Sequence, residues 1–143
     1  MGPDDRPTVR EANASDFGPV LELWAAARSV HARTPDTREA LERLLGDRPG
    51  SLLVAVREGR IVGALIAAWD GWRGNLYRLA VLEEHRRRGI ALQLVREGER
   101  RLAARGARRI SVLAGREDPV AEGLWTAAGY ARDELIGRFV KNL

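Results

Sequence analysis

The chain lacks cysteine altogether, and its 143 residues include one methionine, one lysine and two histidines. Without cysteine there are no disulfides, no thiolate metal sites and no cysteine nucleophile. His31 and His85 are too few for a zinc catalytic centre and make a serine–histidine triad improbable, so no metal is expected. Long apolar runs are missing too. The longest, Ile61 to Trp69, spans nine residues and includes Gly63, whereas a membrane helix needs about 20. The opening MGPDDRPT is acidic and has no apolar core of a secretory signal. The expectation is a soluble, cytoplasmic protein with no membrane partner. With 45% hydrophobic and 31% charged residues, the composition is that of a globular chain. At roughly 150 residues per domain, a single domain over 1–143 is expected.

What is present in excess is arginine. Of the 24 basic residues 23 are arginine, against 20 acidic ones, for a net charge of +4. Arg86, Arg87, Arg88, Arg96, Arg100, Arg101, Arg105, Arg108 and Arg109 fall within 24 residues. A solvated helix face accounts for the later ones as well as a ligand does. The earlier ones point to an anionic ligand. No aromatic motif of a nucleic-acid binder accompanies them, so nucleic acid is not expected as a partner.

The chain reads as a mixed α/β protein. Thr8 to Glu11 is a strand, and Asn13 to Asp16 offers caps for a helix reaching about Arg28, with Leu21, Trp24 and Ala25 on its apolar side. Thr37 caps a second helix that buries Ala40, Leu41, Leu44 and Leu45. Strands at Ser51–Arg57 and Arg60–Trp69 form a hairpin around Glu58-Gly59, and a third strand, Asn75–Val81, follows the Asp70–Gly74 loop. Gly89 to Arg105 is helical, with Ile90, Leu94, Gly98 and Leu102 on one line, and Gly106 stops it. A strand at Arg108–Ala114, a helix from Pro119 to Ala128 and one or two closing strands over Tyr130–Lys141 complete the order. The strand–helix–strand unit 75–114 requires parallel strands, while the hairpins are antiparallel. The sheet is therefore mixed, with helices on both faces.

Chemistry concentrates between Leu79 and Ala91, which reads LAVLEEHRRRGIA. A strand ends at Val81, a basic loop follows, and a helix starts near Gly89. The first amides of that helix have no internal partner, and its dipole adds about half a positive charge. Gly89 and the small Ala91 let a ligand's phosphates approach the backbone, and Arg86, Arg87 and Arg88 add charge. On physical grounds this is a pyrophosphate cradle, or else an ordinary loop with surface arginines. It is neither a dinucleotide-binding glycine turn nor a Walker loop.

Arg86-x-x-Gly89-x-Ala91 resembles the Arg/Gln-x-x-Gly-x-Gly/Ala signature of the GNAT N-acetyltransferases. The preceding strand Tyr77–Val81, the helix end Arg105-Gly-Ala107, the strand Arg109–Leu113 and the segment Leu124-Trp-Thr-Ala-Ala-Gly-Tyr130 agree in order, as does the opening Val9–Ala12 with Asp16. The likeness spans nearly the whole chain. It is similar in particular to small bacterial members of the ribosomal-protein-alanine type. The resemblance implies the GNAT fold and transfer of an acetyl group from acetyl-CoA to an amine. It also implies that the amides of Arg86, Arg87, Arg88, Gly89, Ile90 and Ala91 hold the CoA pyrophosphate. Backbone groups of Leu79, Ala80 and Val81 would hold the pantetheine arm and thioester, between strands that splay apart. Val81 N–H is then the candidate donor to the carbonyl oxygen, where negative charge develops. A homodimer is a further family expectation.

The chain departs from that pattern in places. Trp125 stands where the family has a tyrosine acid, and an indole N–H donates without titrating. It could hydrogen-bond the sulfur; Tyr130 reads as a core aromatic. Asp118, in place of an asparagine, either accepts from the pantetheine amide or caps a helix. Leu113 replaces the glutamate common in the ribosomal-protein type. Glu83 is the leading candidate for a general base, ahead of Glu84, His85 and His31. Trp69, Asp70 and Trp72, with Arg73, are candidates for binding a cationic acceptor. A GNAT-like module that binds acyl-CoA without transferring anything is the alternative these departures raise.

Overall fold

The computed structural model describes residues 6–27 and 35–143. Its contacts group into two compact units, Met1–Leu113 and Ala114–Leu143.

In the first unit, β1 (Thr8–Glu11) leads to a short 3-10 turn in which the Asn13 side chain accepts from Ser15 N. Asp16 returns the favour by accepting from Asn13 N, and the Arg10 guanidinium grips it at 2.7 and 3.0 Å. These bonds satisfy the amides that a helix start leaves open. Helix α1 (Phe17–Ala26) follows, then α2 (Arg38–Asp47), capped by Thr37 Oγ1 accepting from Ala40 N at 3.1 Å. Strands β2 (Leu52–Arg57), β3 (Arg60–Trp69) and β4 (Gly74–Val81) pair antiparallel in chain order, with β1 on the outer edge of β2. Helix α3 (Ile90–Ala104) crosses over to β5 (Ile110–Val112), which lies parallel to β4. The sheet is the expected mixed one, in the order β1-β2-β3-β4-β5.

Alternation along the strands divides the core. Leu52, Val54, Ala64 and Ala80 pack with Phe17, Val20, Leu23, Trp24 and Leu41 from α1 and α2. The opposite face takes α3, whose Leu94 and Leu102 are fully or almost fully buried. Gly98 fixes how close α3 comes: a Cβ there would lie 3.1 Å from Leu65 Cδ2 and 3.3 Å from Leu76 Cδ2.

Two expectations fail. The last strand of the sheet is three residues long, not seven, because β4 bulges at Arg78 two positions beyond their last pair, and a bulge bends its strand away. No strand forms over Tyr130–Lys141. The described backbone offers it no ladder partner, Asp133 Oδ1 closes a turn onto Leu135 N, and Gly137 breaks the apolar alternation. Residues 131–143 are exposed throughout.

The second unit contains α4 (Pro119–Ala127). Asp118 is its cap, accepting from Ala121 N at 3.1 Å, with Pro119 at the first position. Past its end the Trp125 and Tyr130 rings meet edge to face, centroids 5.2 Å apart. Both rings are half-buried, so Tyr130 is not a core residue here.

Candidate active site

The sheet opens between β4 and β5. Their parallel pairing runs from Gly74↔Ile110 to Leu76↔Val112 and stops, while β4 continues to Val81. Leu82 N donates to Val62 O at 2.9 Å, and Ala80 pairs with Ala64. By alternation the amide and carbonyl of Val81, between those two residues, point away from β3 and towards the opening. The Val81 carbonyl accepts from Arg86 Nε at 3.1 Å.

The turn that follows begins with a 3-10 segment, Glu83–His85, and then twists through two left-handed residues, Arg87 (φ 62°) and Gly89 (φ 77°). Gly89 is the cap of α3, and the first bonded amide of that helix is Gln93 N, which donates to Gly89 O at 3.0 Å. Among the described residues, the amides from Arg87 to Leu92 have no hydrogen-bond partner. Alternating left-handed residues turn successive amides into one concave donor surface, at the positive end of the helix dipole. Arg86, Arg87, Arg88 and Gly89 are exposed. Such a surface fits a diphosphate: its donors are unspent, its charge has the right sign, and no side chain at Gly89 blocks the approach.

Arg78 explains why the strand opens where it does. The β3–β4 register gains one residue between Tyr77 and Ala80, and Arg78 there has φ 54°, a conformation that costs a non-glycine residue about 1–2 kcal/mol. Its carbonyl accepts from Trp24 Nε1 at 2.9 Å, and its guanidinium meets Asp36 Oδ1 at 3.0 Å. The Asp36 side chain is 14% exposed. Sequence reasoning assigned Trp24 to the core, where it does lie, but gave its N–H no role and did not single out Asp36 or Arg78. An arginine inside an apolar strand pattern is a weak bulge signal, and the pairing of Asp36 with it spans 42 residues, beyond any local motif.

Residues 17–130 match the acetyltransferase (GNAT) family. The chain belongs to that family. It is 30% identical over 128 residues to acetyltransferase YE1169 of Yersinia enterocolitica, covering 90% of each chain, and equally to an acetyltransferase of Yersinia pestis strain Pestoides F. Among solved structures, its fold is similar to AAC(6')-Iy in complex with a bisubstrate analogue, CoA-S-monomethyl-acetylneamine. That likeness has a TM-score of 0.77 at 21% identity, over 96% of this chain and 99% of the other. Ard1 of Thermoplasma volcanium gives a TM-score of 0.78 at 17% identity, over 88% and 83%. The protein is an acetyl-CoA-dependent acetyltransferase of the GNAT family.

In this acetyltransferase the candidate bases sit just past β4. Glu83 is exposed, and its carbonyl accepts from Arg86 N at 3.2 Å. Glu84 faces Arg60 at 3.9 Å with both side chains more than half exposed, a pair that contributes little. His85 is half-buried, with Nδ1 enclosed and unpartnered. His31 lies outside the described residues. Trp125 and Asp118 belong to the second unit. Asp118 spends one carboxylate oxygen on its helix cap. Among the described residues there is no group of three or more side chains suited to hold a metal, and no helix long and apolar enough to cross a membrane.

The residues expected to bind the acceptor lie on the β3–β4 hairpin. Trp69, Asp70 and Trp72 occupy the β3–β4 turn next to Gly74, while Val81 ends the same strand seven residues on. At ~3.3 Å per residue that separates them by about 23 Å. Asp70 is a turn former whose Oδ1 accepts from Trp72 N and Arg73 N at 2.7 Å each. Those bonds, the one from Arg73 first, hold its carboxyl below the usual range. Trp72 is 80% exposed, and Trp69 lines a shallow cavity with Arg48, Arg101 and Arg105.

Proposed function

We propose that this acetyltransferase transfers the acetyl group to a primary amine by direct attack on the thioester. The amine nitrogen forms the new bond to the acetyl carbon, the carbon–sulfur bond breaks, and the proton released by the nitrogen ends on the departing sulfur. The observation that carries this reading is the opening of β4 from β5 beyond Leu76, leading straight to the donor-rich turn before α3. Acetyl-CoA supplies an activated carbonyl, and the rest is done by this chain. The amides of Arg87 to Ala91 and the arginine side chains around them hold the diphosphate; the Arg86 amide, expected to join them, is already spent on the Glu83 carbonyl. The backbone of Leu79, Ala80 and Val81 lines the arm. Val81 N–H donates to the acetyl oxygen, a contact of the kind worth about 2.7–4 kcal/mol in acyl transfer.

An alkyl ammonium with a pKa near 10.4 must lose a proton before attack, and Glu83 is the proposed acceptor of that proton. The sulfur leaves without an acid, since thiols of the cysteine kind have a pKa near 8.5. Calorimetry with acetyl-CoA, then thiol release against a panel of polyamines, aminoglycosides, lysine peptides and peptide N-termini, tests the reading. Micromolar binding and turnover of one amine class are expected. No heat at high micromolar acetyl-CoA would overturn it. Binding with no release on any amine would make the chain an acyl-CoA binder.

A further inference from the structure

We propose that Trp24 and Asp36 are positioning residues for acetyl transfer, holding the Arg78 bulge from two sides and so aiming the backbone of Leu79 to Val81 into the cleft. The inference rests on the reading of that backbone given above.

Arg78 is the residue that decides the direction of the strand. Without the extra residue, pairing of β4 with β3 would keep one register, and the amide of Val81 would turn from the cleft to β3, since a one-residue slip reverses every group along a strand. A left-handed arginine does not hold itself there. Trp24 fixes the carbonyl from α1, through an indole buried to 4% exposure. Asp36 fixes the side chain from the residue before the α2 cap, in a pair where both partners are mostly buried. The two bonds reach one residue from different segments and constrain both its backbone and its guanidinium. The Trp24 N–H meets a strand carbonyl at the residue where the β3–β4 ladder shifts register.

The test is steady-state kinetics of Trp24→Phe and Asp36→Asn, with acetyl-CoA and whichever amine of the panel releases thiol fastest from the wild-type protein. Trp24→Phe keeps an aromatic ring and loses the N–H donor, and Asp36→Asn keeps the shape and loses the charge that holds the guanidinium. A displaced amide is costly in catalysis, so kcat falls about tenfold or more in each, while KM for acetyl-CoA stays within about threefold because the 86–91 turn is untouched. Arg78→Gly supplies the second readout. Glycine takes a φ near 54° without help, so adding Trp24→Phe to Arg78→Gly lowers kcat by less than about threefold. Wild-type kcat in both single variants, or loss of kcat undiminished in the glycine background, overturns the positioning role. If Trp24→Phe does not fold, Asp36→Asn decides the matter alone. Failure of the wild-type protein to bind acetyl-CoA at all would instead remove the underlying reading.

Discussion

Arg86 donates from Nε to the carbonyl of Val81 at 3.1 Å, tying the first arginine of the basic turn to the last residue of the central strand. One side chain therefore both shapes the turn and carries charge into it. Arg86→Ala removes the charge that the turn offers a diphosphate, and a charge-assisted bond to such a group is of a kind worth about 1.5–3 kcal/mol, so the dissociation constant for acetyl-CoA is expected to rise roughly 10- to 100-fold in calorimetry. Arg86→Lys restores the charge but not the planar donor, and recovers the affinity only in part.

Gly89 has φ 77° and open space where a Cβ would stand. Gly89→Ala therefore meets no clash, and its whole effect is conformational. The left-handed cap costs alanine about 1–2 kcal/mol, which lowers the melting temperature by a few degrees. Acetyl-CoA binding weakens by more than the stability change implies, because relief of the strain moves the amides of the turn. Equal losses in both measurements would argue that the turn does not hold the ligand.

Glu97 is the strongest acid–base reporter of the fold. The guanidinium of Arg100, then that of Arg101, draws its carboxyl down from 4.5 to about 2. A carboxylate lowered on folding stabilises the protein above its unfolded pKa and loses that contribution as pH falls through the folded one. Asp16, lowered first by its hydrogen bond from Arg10, acts in the same direction. Urea unfolding at stepped pH values should show stability declining between about pH 4.5 and about pH 2. Glu97→Gln is expected to flatten part of that decline and to leave the difference from wild type largest near neutral pH.

Trp72 tests whether the hairpin tip takes part in acceptor binding. Its ring is exposed, at the turn of the hairpin remote from Val81. Trp72→Ala is expected to change kcat and acceptor KM by less than about twofold and stability by less than about 0.5 kcal/mol. A tenfold rise in the acceptor KM would return the hairpin tip to the site.

Much of this was written locally. Apolar spacing placed α3 through Ile90, Leu94, Gly98 and Leu102, and capping chemistry placed α2 at Thr37 and α4 at Asp118, because side chains three or four residues apart settle those elements. The donor-rich turn was legible for the same reason: its unspent amides, its left-handed glycine and its arginines are consecutive. Tyr130–Lys141 misled because alternation in sequence marks what a strand would look like, not whether another strand lies beside it.

Sequence by itself determined the mixed α/β order, the family signature and the place where a strand hands over to a helix. Only the tertiary structure decided that Trp24 and Asp36 converge on Arg78, that the β4–β5 ladder ends at Leu76, and that Trp69 to Trp72 lie at the end of β4 opposite Val81. Each of those depends on contacts between residues far apart in the chain, and periodicity reports only which face a residue prefers, never what waits on the other side.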